Sequence, residues 1–260
     1  MSAVRGAYRA SAAAAVIAVI AVIAVASAAV AGCAGAPAES PTPESPTAEK
    51  PRMTLTATLD SPTDITLRWN GRDPGAAGRT VEFATEPGGP YTILQFLPPG
   101  RATFTHPDLM PKTPFYYRLR PFYGPTSAAV NVTLPAGDLS EQDQRNDHEW
   151  AEPRTLSGDS GPSHSVRTTA AAPTGLKATV MHANGIRLTW QDHARGEEGY
   201  LIELRPYGDP DFRVAAVAGP GIESIGLITL PDEKKSTVRV RAYYYGEQSN
   251  VVHRTTGPEV

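Results

Sequence analysis

Three groups of side chains in this 260-residue chain are of types that do chemistry. The first is one thiol, Cys33, the only cysteine present. It ends an uncharged run over 11–32, built almost wholly of Ala, Val and Ile, and that run follows Arg5 and Arg9. Basic, then apolar, then small residues is the order of an export signal. A thiol at its end is the side chain best suited to forming a thioether. A single cysteine also excludes an intramolecular disulfide and any multi-cysteine metal site. The second group is Ser160, in Gly158-Asp159-Ser160-Gly161-Pro162. A serine nucleophile needs a histidine base and an oxyanion hole in a rigid frame. This pentapeptide lies in low-complexity sequence, where Gly, Asp, Ser and Pro are ordinary linker composition. The third group is the histidines: His106, His148, His164, His182, His193 and His253. None has the helical or compact spacing that zinc requires. The acidic run over 138–149 lacks the glycine and ligand spacing of a calcium loop. These patterns predict no catalytic residue, no cofactor and no metal.

The residues around Cys33, Val30-Ala31-Gly32-Cys33, resemble the lipobox of bacterial lipoproteins. The resemblance implies cleavage before Cys33 and lipidation of its thiol by a diacylglycerol, with acyl chains of the palmitate class. An uncleaved transmembrane helix is the alternative, because about 20 apolar residues roughly span the hydrocarbon layer. Arg5 and Arg9 would then stay cytoplasmic. Either way, residues 34–260 are expected outside the cytoplasm on a membrane anchor, and two acyl chains hold where one is marginal. The Ser160 pentapeptide resembles the nucleophile segment of chymotrypsin-like serine proteases. Pro162 replaces that family's following glycine, and the flanking sequence leaves no room for its double barrel.

The elements that must position any site are strands. Lys+Arg number 24 against 27 Asp+Glu, a net charge of −3, without the basic surplus that nucleic acid demands. The 25 prolines and 23 glycines suit short strands with many turns rather than helices. Residues 34–53 are a Pro/Ser/Thr tether that cannot bury a core. From 54 to 134, runs such as Ile65-Thr66-Leu67-Arg68-Trp69 alternate apolar and polar residues, and Gly/Pro clusters separate them. Residues 129–133 close this set as its last strand. Residues 135–171 are expected to be a flexible acidic linker with at most a helical turn near 140–149. Then the pattern repeats at an offset of 121 residues: Trp69 matches Trp190, Glu82 matches Glu203, and Arg118 and Arg120 match Arg239 and Arg241. A duplicated domain follows, over 54–134 and 172–257.

Both copies resemble fibronectin type III domains. The second does so through Pro173-Thr174-Gly175-Leu176, Ile186 to Trp190, Gly199 to Leu204, Arg239 to Tyr243 and Ser249-Asn250-Val251-Val252. The first shows the counterparts, and Leu109-Met110-Pro111-Lys112-Thr113 matches the turn before strand F. The resemblance implies an all-β chain of two immunoglobulin-like sandwiches. One departure is the corner tyrosine usual in the family, replaced by Phe115 and Ser236. Alternation directs Ile65, Leu67, Trp69, Val81, Phe83, Tyr117 and Leu119 inward in one copy. Ile186, Leu188, Trp190, Ile202, Leu204, Val238 and Val240 point inward in the other. Outward on strand F stand Tyr116, Arg118, Arg120 and Phe122, and in the second copy Arg239, Arg241, Tyr243 and Tyr245. An arginine–aromatic ladder is the composition of a partner face. The internal reading pairs those arginines with Glu82 and Glu203 on the neighbouring strand. The expected function is non-catalytic: binding or spacing at the cell envelope through protein or cell-wall glycan contacts. The alternative is an accessory that docks an envelope hydrolase onto polysaccharide or peptidoglycan.

Overall fold

A computed structural model describes residues 53–71, 73–137, 140–156 and 161–258. The expected signal, Cys33 and the tether up to residue 52 lie outside these residues, as does Ser160 with 157–159.

The first copy forms β1 (Thr54–Ser61), β2 (Asp64–Asn70), β3 (Gly78–Ala84), β4 (Thr92–Leu97), β5 (Thr103–His106) and β6 (Pro114–Tyr123). Then follow β7 (Val130–Thr133), helices α1 (Glu141–Asn146) and α2 (His148–Ala151), and the two-residue strand β8 (His164–Ser165). The second copy adds β9 (Thr174–His182), β10 (Gly185–Gln191), β11 (Ala194–Arg195), β12 (Gly199–Pro206), β13 (Arg213–Ala218), β14 (Ser224–Ile228), β15 (Lys235–Tyr245) and β16 (Val252–Thr255).

In each copy a three-stranded antiparallel sheet, β1-β2-β5 or β9-β10-β14, faces a larger sheet. The period-two pattern of the strands fills the space between them. Ile65, Leu67, Val81, Tyr117 and Leu119 are fully buried in the first sandwich. Ile186, Leu188, Ile202, Leu204, Val238 and Val240 are fully buried in the second. Trp69 and Trp190 join these clusters, and Phe83 packs against the first from a half-buried position.

The last strand of each copy departs from the sequence-based expectation. β7 does not return to β6; it pairs with β15, setting Val132 against Ser236 and Val130 against Val238. β16 in turn pairs with β6, setting Val252 against Tyr117. Each sandwich is therefore completed by the final strand of the other. Val132 and Leu134 are buried in the second core, and Val252 packs on the first. Two serines fasten the exchange. Ser249 Oγ accepts the buried Leu119 N–H at 3.0 Å, and Ser127 Oγ accepts the Val240 N–H at 3.0 Å. The crossover requires close backbone approach at Gly124, whose φ is +126° and where a Cβ would strike the Ala242 carbonyl oxygen. No side chain fits there. β6 and β15 also pair directly, Tyr123 with Tyr244 and Phe122 with Tyr245, so one sheet runs β13-β12-β15-β6-β3-β4.

The segment between the copies, expected to be flexible linker, is in its described parts laid onto the second sandwich. Ser140 caps α1 in a capping box with Asp143, the helical turn anticipated near 140–149. Trp150 covers the outer face of β9-β10-β14, above Gly226 and Gly185, where an added Cβ would come within 2.7 and 2.8 Å of the indole. Arg154 bridges to Ser224 on the edge of β14. Val166 and Ala171 reach the second core.

Candidate functional site

The arginine–aromatic series stands on the outer face of the shared sheet. β3 and β6 are neighbours, as are β12 and β15, so each glutamate lies beside its arginines. Glu82, 3% exposed, takes Arg118 at 2.6 Å and Arg120 at 3.9 Å. Glu203, 4% exposed, takes Arg241 at 2.7 Å and also Arg239. The internal pairing expected from the sequence is thus present in both copies. Aromatic rings cover the guanidinium planes: Arg118 lies over Tyr91 at 4.0 Å, Arg120 over Tyr245 at 3.8 Å and Arg239 over Phe212 at 3.9 Å.

The structure corrects three members of the expected partner face. Phe122, Tyr243 and Arg241 are buried, and of the three Phe122 and Arg241 meet a neighbouring cleft. Phe122 and Tyr243 form a cluster with Leu201, flanked by Phe96, Val214 and Tyr245, that joins one sandwich to the other. Alternation identified the face correctly, but the partner of its upper half is the other copy. Arg241 is enclosed between Glu203 and the Gly124 carbonyl oxygen, which accepts its Nη1 at 2.6 Å. Tyr116, Arg118, Arg120, Arg239 and Tyr245 remain partly exposed. Burial raises the phenol pKa of Tyr243 and Tyr245, so both stay neutral hydroxyls at physiological pH. A cleft of about 320 Å³ opens beside this cluster, with Phe96, Pro99, Phe212 and Arg239 in its walls. Stacking and hydrogen bonding are the chemistry these groups offer.

His106, His182 and His253 have separate surroundings. His106 sits among Phe83, Phe115 and Tyr117. His182 bonds Asp147 at 2.8 Å, and His253 stacks on Tyr116. Among the described residues, no group of three or more His, Cys, Asp or Glu converges on a metal-sized site. Sequence reasoning missed Trp150, whose signal was an aromatic in otherwise polar sequence. It was matched by glycines at 185 and 226 where the first copy has Asp64 and Thr105.

No family model matches the chain, and no curated protein does. Solved structures do. A Fn3-like protein from Clostridium thermocellum is 32% identical over 26% of this chain and 69% of its own, with a TM-score of 0.24. A two-domain fibronectin type III segment of chicken tenascin is 15% identical over 78% of this chain and 96% of its own, with a TM-score of 0.26. Strand order, a three-stranded sheet facing strands in the order β4-β3-β6-β16 or β13-β12-β15-β7, defines the fold from the coordinates themselves. Both halves are fibronectin type III-like β-sandwiches. The expected departure at the corner is also visible: Phe115 is buried without a hydroxyl, and the Ser236 Oγ has no partner.

Proposed function

We propose that this chain is a non-catalytic binding or spacing protein of the bacterial cell envelope. In this reading it is anchored through Cys33 on the extracytoplasmic face of the membrane and carries its two sandwiches beyond a proline-rich tether. The observation that carries the reading is the strand exchange. With the buried contact at Phe122, Leu201 and Tyr243, it makes the two modules one body. A body of that kind presents a surface at fixed geometry and suits spacing and recognition. The surface left for a protein or cell-wall glycan is the partly exposed edge formed by Tyr116, Arg118, Arg120, Arg239 and Tyr245.

Two experiments test this. Mass spectrometry of the mature N-terminal peptide should find a diacylglyceryl Cys33; an unmodified thiol or an intact residue 1 would remove the lipoprotein assignment. Sedimentation with purified cell wall should retain the wild type and lose the double variant Arg120→Gln, Arg239→Gln. Those changes leave the pairs Glu82–Arg118 and Glu203–Arg241 in place. Equal retention of both proteins would exclude this edge.

A further inference from the structure

Arg79 is a buried cation without a counter-charge among the described residues. It lies on β3, on the same face as Val81, and is only 4% exposed. Its Nη1 donates to the Pro99 carbonyl at 2.9 Å, its Nε has no partner, and it forms no ion pair among the described residues. Such a charge is strongly unfavourable unless something compensates it. The second copy shows that compensation at this register is available to the fold. There the residue is Tyr200, wholly buried, and its hydroxyl donates to Asp192.

Arg79 also lines a cleft of about 210 Å³, with Met53, Gly71, Asp73, Tyr123 and Glu247. Asp73 already accepts from the Tyr123 hydroxyl and the Gly75 N–H. Glu247 is exposed at the rim, on the segment that carries β16 across to the first sandwich, and no cation pairs with it among the described residues. Among the described residues, one wall therefore holds a guanidinium without a carboxylate partner and another a carboxylate without a cation. We propose that this cleft binds a small zwitterion, an α-amino acid, with its carboxylate on Arg79 and its ammonium toward Glu247. The site is composite: Glu247 reaches it only because the strands are exchanged.

Calorimetric titration of the mature chain tests this with glycine and L-alanine, using acetate and methylamine as half-ligands. Glycine should bind, and each half-ligand should bind about tenfold or more weakly, the order of one charge-assisted contact. Glu247→Gln, an exposed change that leaves the core untouched, should weaken glycine about tenfold and leave acetate unchanged. Arg79→Met should abolish binding of glycine and acetate. Glycine should also raise the melting temperature of the wild type. Acetate binding as tightly as glycine, or glycine affinity unchanged in Glu247→Gln, would overturn the zwitterion. No heat and no thermal shift at about 100 mM glycine, well above a millimolar constant, would overturn the site itself.

Discussion

His106 is held between the Phe83 and Phe115 rings, with Nδ1 3.0 Å from the Tyr117 hydroxyl. Burial lowers its pKa from the ordinary 6.5, because a charged imidazole among apolar rings loses its hydration. The unfolded chain therefore takes up the proton more readily than the folded one. The stability tied to the neutral ring is whole above about pH 6.5 and is lost as the pH falls from there through the lower folded value. Melting curves between pH 7 and pH 5 should show the first sandwich weakening, and His106→Phe should flatten that dependence; parallel curves would assign the acid sensitivity elsewhere. The core residues around it were legible from alternation alone, since Ile65, Leu67 and Trp69 can share only one face of a strand. What covers the opposite face was not legible. Phe122, Arg241 and Tyr243 read as outward, as they are, but a period of two gives direction and not the neighbour that meets it.

Among the elements, β7 and β16 carry information that local sequence could not. Each is four residues long, and both meet the same kind of slot because the copies are duplicates, so either assignment satisfies the pattern. The choice is made by close approach at Gly124 and by the serines, Ser127 and Ser249, that precede each strand. Ser127→Ala strands the Val240 N–H, and Ser249→Ala strands the Leu119 N–H. Each should cost about 1–3 kcal/mol, the penalty of a buried unsatisfied donor. Denaturant titration followed separately in the two cores should place the loss from Ser127→Ala in the second sandwich and that from Ser249→Ala in the first. The strap over 140–156 was hidden for another reason: its polar composition is that of a linker, and Trp150 is the buried residue among those described in it. Trp150→Ala should speed amide exchange across α1 and α2 while the cores around Trp69 and Trp190 keep their protection. Unchanged exchange in the strap would mean that His182–Asp147 and Arg154–Ser224 hold it unaided.

For the molecule as a whole, the exchange reverses the usual effect of a truncation. Ending the chain after Gly246 removes β16, which belongs by sequence to the second copy and by pairing to the first. Amide exchange should then rise over β1, β2 and β6, with the second sandwich retained through β7. Loss of the second sandwich instead would contradict the crossover. The duplication was readable as an offset of 121, and so was the pair of sandwiches, because repeated cores leave repeated apolar positions. Their interlocking was not, because it depends on which of two equivalent edges a strand reaches. Cleavage by a protease anywhere in 157–160 would yield two fragments that each hold a strand the other needs. They should migrate as two bands under denaturing conditions and as a single species under native ones, so severing the covalent connection would not by itself separate the two halves.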